Sequence, residues 1–317
     1  MRSTLFALLG SGCAVSGVTS STDQPIIGGE TTSTTTYKTV VDLEEDPGNW
    51  FCTGTLIDKD WVLTAAHCVT GEVEETADKV HVRFDADNIN TGSTGMLVAV
   101  SEIHFNPGYN GNDWDNDIAL VKLATSVTDR TPTPVHRGTV AFDTMVTTVG
   151  YGDSNNNGGG AGVLRKLDEP TVDCGMANDA GISNANLLCF SGSDGNASCY
   201  GDSGGPAFVN GEVAGITSGG TEDKCTAGWD LYTSVSAEIA FVDQYVTANA
   251  NTGSGSGSDV TGPGSDTGSD AGSDPTDNHD GSKDGGGCNT SGTGSSGALL
   301  AIAGVLVARR RRSMLRA

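Results

Sequence analysis

The sequence predicts an all-β fold, a barrel or a sandwich, on three observations. Short apolar runs recur between turn residues from Ile26 to about Ala250. One of these runs, KVHVRFD, alternates cleanly and sets Val80, Val82 and Phe84 on one face. Glycine is abundant, 46 of 317 residues, and only 18% of residues are charged, so strong helix formers do not dominate.

The elements follow in chain order. TVVDLE, WVLTAAHC, KVHVRFD, MLVAVSEIHF, DIALVKLA, VTTVGYG and EVAGITSG read as strands, each a short run rich in β-branched residues and bounded by turn formers. Asn210-Gly211, between PAFV and EVAGI, marks a tight hairpin, because both residues tolerate positive φ. Near the end of the globular part, Ser236 is placed to cap a helix with Ile239, Phe241, Val242, Tyr245 and Val246 on its apolar face.

The two ends of the chain differ from this middle. Residues 1–17, MRSTLFALLGSGCAVSG, carry one Arg, a short apolar core and then small residues, as a secretory signal does. Cys13 is read as lost with that leader. The alternative is lipid attachment, but Gly10 stands where such motifs usually place Leu. Residues 251–287 are almost devoid of apolar side chains, so a disordered tether is expected there. A Gly/Ser-type coil of this length spans roughly 33 Å root-mean-square. Residues 288–317 place Gly287-Cys288 ahead of a short apolar stretch, Ala298–Ala308, and then Arg309–Arg312. This tail resembles bacterial sorting tails of the MYXO-CTERM type. The resemblance implies membrane contact through the tail, then cleavage near Cys288 by a sorting protease. The cell surface or the medium is then the destination. The plain alternative is a membrane anchor.

Charge and cysteines narrow the function. The net charge of −23 opposes nucleic-acid binding, because phosphates repel it. Of eight cysteines, six lie in the middle of the chain, and no CxxC pair occurs. A zinc ribbon or a thioredoxin-like site is therefore not expected, and disulfides formed in an oxidising compartment are.

Three motifs carry chemistry. TAAHC holds His67, DNDIAL holds Asp117 and GDSGGP holds Ser203. Singly, each has an ordinary structural reading: a core histidine, a turn aspartate, a glycine loop. Together they describe an activated nucleophile. A serine hydroxyl is too weak an acid to attack an amide unaided, so an imidazole must take its proton and pass it to the leaving amine. A buried carboxylate fixes the imidazole tautomer and stabilises the imidazolium. Glycines beside the serine let backbone N–H groups reach the developing oxyanion.

From Ile26 to about Val246 the chain resembles trypsin-like serine endopeptidases of the chymotrypsin fold. The resemblance rests on CTGTLI, WVLTAAHC, DIAL, GYG, CYGDSGGPA, GITSGG and LYTSV. It implies two six-stranded antiparallel barrels with a C-terminal helix and a site in the cleft between the barrels. His67 becomes the general base, Asp117 its orienting partner and Ser203 the nucleophile, with the N–H groups of Gly201 and Ser203 as oxyanion hole. It implies disulfides Cys52–Cys68, Cys174–Cys189 and Cys199–Cys225, and no cofactor. PIIGGE matches the mature start of the family. Residues 18–25 then form a short propeptide, and cleavage before Ile26 frees an ammonium for Asp202. Pro25 stands where zymogens usually carry Arg or Lys, so a separate activating protease is implied. Glu72, Glu74 and Glu75 lie near a position where some members bind calcium, a weak match.

Specificity is the point of departure. Ala197 stands where family trypsins keep an Asp on the pocket floor, which suggests elastase-like or chymotrypsin-like preference. Aligned on LYTSV, however, Asp230 replaces a pocket-wall Gly, and some members use an acid there to accept basic side chains. Ser218 and Gly220 complete the expected substrate-binding wall, and Gly219 replaces an aromatic. The expectation is cleavage of proteins or peptides after Arg or Lys. The alternatives are an apolar preference on the same fold, or an inactive protease-fold binding protein.

Overall fold

The computed structural model describes residues 26–246, except 46, 71–75, 92–93, 112–113, 176–185 and 193–194. The readings of residues 1–17, 18–25, 251–287 and 288–317, and of Cys13, Cys288, Glu72, Glu74 and Glu75, fall outside these. Among the described residues no helix is long and apolar enough to cross a membrane.

Six strands close into a barrel: β2 (Val40–Glu44), β3 (Trp50–Asp58), β4 (Trp61–Thr64), β5 (His81–Phe84), β6 (Met96–Phe105) and β7 (Ala119–Leu123). Their order around it is β2-β3-β4-β7-β6-β5, antiparallel throughout. Closure leaves no free edge on this barrel. Val82 and Phe84 are fully buried, as the alternation of KVHVRFD requires. Arg83, in the opposite phase, is also buried, because Glu44 on the neighbouring strand pairs with it through Nε and Nη2.

The second half is a seven-stranded sheet. It comprises β1 (Glu30–Thr31), β8 (Met145–Gly150), β9 (Arg165–Pro170), β10 (Leu187–Ser191), β11 (Pro206–Val209), β12 (Glu212–Gly220) and β13 (Trp229–Ser234), in the order β1-β9-β8-β11-β12-β13-β10. The two-residue β1 is an addition to β9. The other six strands curl towards closure, and one bridge, Val172 to Cys189, joins the end of the β9 segment to β10. Among the described residues the family's second barrel is thus present as a half-barrel with a single-bridge seam. Asn210 and Gly211 turn the β11–β12 hairpin with φ of 50° and 82°, as the dipeptide predicts.

Two expectations change in detail. WVLTAAHC is a strand only to Thr64; Ala66–Val69 forms a one-turn helix, α1. Tertiary anchors override its β propensity: Cys68 is bonded to Cys52 on β3, and the His67 N–H donates to Asp117 Oδ1 at 2.8 Å. The C-terminal helix, α2, spans only Ile239–Val242, with Glu238 rather than Ser236 at its N-cap position. The Ser236 hydroxyl lies 3.2 Å from Ser234 Oγ instead. Phe241 and Val242 are buried, and Ile239, Tyr245 and Val246 pack on the main core.

Candidate active site

The first barrel supplies the imidazole and its partner. Helix α1 carries His67, and Asp117 leads into β7. The His67 ring Nδ1 is 2.7 Å from Asp117 Oδ2, and Asp117 is 2% exposed. Two further groups fix this carboxylate. Its Oδ1 accepts the His67 N–H, and its Oδ2 accepts the Ser218 hydroxyl at 2.6 Å. The Thr233 hydroxyl donates to its carbonyl at 3.0 Å. Ser218 reaches it because β12 slips register between Thr217 and Gly219, a bulge that re-aims the residue between them.

The second half supplies the loop that carries Ser203. Cys199 to Gly205 is pinned against β3: Thr53 N–H donates to Ser203 O and Thr53 Oγ1 to Gly201 O, both at 2.8 Å. Gly204 is required there, with φ of 78° and space that a Cβ would share with Thr64 Oγ1 at 2.1 Å. Within the loop the N–H groups of Cys199, Asp202 and Gly205 are bonded internally, and that of Gly204 donates to Thr217 O on β12 at 2.8 Å; those of Gly201 and Ser203 enter none of these bonds.

His67 and Ser203 share a cleft of about 470 Å³ with Ser198, Ser218, Gly220 and Asp230. A cleft of similar size, about 480 Å³, lies beside the Cys174–Cys189 bridge and is lined by none of these residues. Of the specificity candidates, Ser218, Gly220 and Asp230 therefore reach the cleft. Ala197 does not line it; it is fully buried, and its N–H donates to Ile27 O at 2.9 Å. Asp230 is 4% exposed. Its Oδ2 accepts the Ser198 N–H and its Oδ1 the Ser198 hydroxyl, both at 2.7 Å. Burial pushes this carboxyl up to about 7, against the pull of the Ser198 bonds. Glu222 and Asp223 also line the cleft, and among the described residues no Lys or Arg does.

The two residues of the expected activation pair are both buried. Ile26 is 1% exposed, and Ile27 bridges Ala197. Asp202 is buried in a glycine niche: a Cβ on Gly150 or Gly152 would fall 2.2 or 2.4 Å from its carboxylate oxygens. Its Oδ1 accepts the Gly152 N–H at 2.7 Å and its Oδ2 the Cys199 N–H at 2.9 Å. Burial pushes this carboxyl up to about 7 despite those bonds. The glycines of GYG thus make room for Asp202. Cys52–Cys68, Cys174–Cys189 and Cys199–Cys225 are bonded as the family resemblance implies.

Trp114 is a residue that motif reading misses. Its indole Nε1 lies 3.1 Å from where a Gly219 Cβ would be, so an aromatic from the loop before Asp117 covers the glycine that replaces the family's own. The available signal is a Trp three residues before Asp117.

A closed β-barrel, a half-barrel and a histidine–aspartate pair beside a glycine-flanked serine define a chymotrypsin-fold serine protease. The family model described as Trypsin matches residues 26–242. A trypsin of Xenopus laevis is 31% identical, over 72% of this chain and 93% of that protein. Brachyurin of Leptuca pugilator is 36% identical over 59% and 83% respectively. Chymotrypsin-like elastase family member 1 of Macaca fascicularis is 30% identical over 72% and 92%. The chain belongs to the trypsin family and is a serine endopeptidase, a hydrolase that needs no cofactor.

Proposed function

We propose that this endopeptidase cleaves proteins or peptides after Arg or Lys, and that Asp230 supplies the charge that selects them. One observation carries the reading: a buried carboxyl lines the same cleft as His67 and Ser203, and no cation among the lining residues neutralises it. Ser198 and the Leu231 N–H together use three of the roughly four acceptor positions of the carboxylate, which leaves capacity for a guanidinium or ammonium. In the reaction His67 takes the Ser203 proton as Oγ attacks the scissile carbonyl, and Asp117 stabilises the imidazolium. The N–H groups of Gly201 and Ser203 hold the oxyanion, and His67 then protonates the leaving amine.

A matched panel of Arg, Lys, Phe, Leu and Ala substrates on wild type and Asp230→Gly tests the assignment. Losing one partner of a desolvated charge pair costs about 2–5 kcal/mol, so kcat/KM for the basic substrates should fall about 30-fold to several-thousand-fold. If wild type ignores Arg and Lys, or the variant cuts them equally well, an apolar preference of the elastase or chymotrypsin kind replaces this reading.

Two further assignments concern the ends of the chain. The active form begins at Ile26, released by a protease other than itself, because Gln24-Pro25 offers no basic residue to cut after. The mature domain is exported and held at a bacterial cell surface by residues 288–317 until a sorting protease acts near Cys288. Deleting Cys288–Ala317 should move the protein into the medium at unchanged specific activity, because residues 251–287 separate the fold from its anchor. Unchanged surface retention would contradict this.

A further inference from the structure

The interior of the second half is not wholly apolar. Strand β9 alternates buried and exposed, and its inward phase reads Arg165, Leu167, Glu169. Glu169 faces Val146 across the β8–β9 ladder, and directly paired residues share a face of a sheet. Val146 belongs to the apolar cluster with Leu188, Phe190 and Tyr232. Asp230 faces Phe190 across β10–β13, and it lies two residues from Tyr232 on the same face of β13. The register therefore directs a glutamate, a tyrosine and an aspartate into one core. They are 5%, 0% and 4% exposed respectively. Glu169 Oε1 has no hydrogen-bond partner, whereas Tyr232 Oη lies near the hydroxyls of Thr217 and Ser198. A carboxyl oxygen left unpaired in a core works against folding, so the presence of Glu169 here asks for a role. Of the three groups only Asp230 lines the cleft.

We propose that Glu169 is a positioning residue for the specificity pocket, a second carboxyl beneath Asp230 that gives up a proton when a basic side chain enters. The proposal rests on the reading of Asp230 as the group that recognises basic residues. Burial, then the charge of Asp230, pushes the Glu169 carboxyl up to about 8. Burial, countered by Ser198 and reinforced by Asp202, pushes Asp230 up to about 7. Asp230 is thus faced by Ser198 and Asp202 from the nucleophile loop, Tyr232 from its own strand and Glu169 from β9. Glu169 is faced by Asp230 and Tyr232. Asp230 ionises first, while Glu169 keeps its proton. A cation at Asp230 favours loss of the second proton, which leaves to solvent with no bond other than O–H changing. By linkage, the pocket holds a cation more tightly once both carboxyls are ionised.

The test uses protein cleaved before Ile26 and two substrates that differ only in Arg or Leu at the cleaved residue. The ratio of their kcat/KM values cancels any titration that affects both substrates alike. In wild type this ratio rises with pH in two steps, near 7 and near 8. The second step amounts to roughly 3- to 10-fold, the scale of one extra charge several Å deeper at intermediate dielectric. Glu169→Gln keeps the first step and loses the second, and Glu169→Asp, which retains a carboxyl, restores a second step. A second step that persists in Glu169→Gln, or a wild-type ratio that is flat above about pH 8, overturns the role of Glu169. A wild type that fails to cut after Arg at any pH overturns instead the reading of Asp230. Should Glu169→Gln not fold, the affinity of wild type for benzamidine, a small arylamidinium, decides. It must keep tightening past about pH 8, and a plateau there overturns the proposal.

Discussion

At the residue scale, the proposed activation turns on Asp202. With Pro25 attached, the Ile26 nitrogen is an amide and carries no charge. Asp202 is then a buried carboxyl held by two backbone N–H groups, with burial pushing it up to about 7. Cleavage before Ile26 makes an ammonium available at a buried residue whose neighbour, Ile27, bridges Ala197. Removing one member of a buried ion pair costs about 3–5 kcal/mol. Cleaved Asp202→Asn should therefore match the uncleaved wild type in kcat/KM. Cleaved Asp202→Asn with wild-type activity, or active enzyme that starts upstream of Ile26, would contradict the assignment. His67, Asp117, Ser203 and Asp202 are legible in the sequence because each sits inside a short motif. Glu169 and Trp114 are not: each acts on the pocket from an element distant in sequence, and RKLDEP reads as a polar run until its inward phase is known.

Glycine does different work in different elements. Gly211 turns the β11–β12 hairpin at φ of 82°, and a Cβ there would meet nothing within 4 Å. Gly211→Ala is predicted to cost only backbone strain, about 1–2 kcal/mol, and to lower Tm by about 2–8 °C without changing kcat/KM. Gly201, at φ of 100°, would place a Cβ 2.6 Å from the Trp50 ring, so its loop must move to accept any side chain. Gly201→Ala is predicted to abolish measurable turnover while leaving the protein folded by circular dichroism; near-normal turnover would dissociate this loop from oxyanion binding. The hairpin was legible from Asn210-Gly211 alone. Helix α1 was not, because the disulfide to Cys52 and the bond to Asp117, both non-local, turn a β-like segment into a helical turn. The half-barrel also differs from a full second barrel through a long-range pairing, the single Val172–Cys189 bridge, that strand patterning does not encode.

The whole molecule stores several protons in its cores. Burial pushes Asp42 and Glu169 up to about 8 and Asp202 and Asp230 up to about 7. A carboxyl whose folded pKa lies above its unfolded value binds its proton more tightly in the fold. The stability it contributes is complete below about pH 4 and is lost as pH rises through about 7 to 8. The net charge of −23 acts in the same direction, since acidification relieves self-repulsion. Carboxyls held low, such as Asp168 by the Thr147 hydroxyl and Lys166, lose their contribution only below the ordinary carboxylate range. Uncleaved Ser203→Ala protein, which cannot digest itself, should therefore melt several degrees higher near pH 5 than near pH 9. A higher Tm at the alkaline pH would show that these carboxyls are not buried as described.

The most direct test of the account is a crystal structure of the cleaved enzyme inactivated by a peptidyl phosphonate that carries an arginine side chain. The account predicts phosphorus bonded to Ser203 Oγ and the phosphonyl oxygen against the N–H groups of Gly201 and Ser203. The guanidinium should lie about 2.7–2.9 Å from an Asp230 carboxylate oxygen. A guanidinium that bypasses Asp230 for Glu222, Asp223 or solvent, or phosphorus bound anywhere but Ser203, would contradict it.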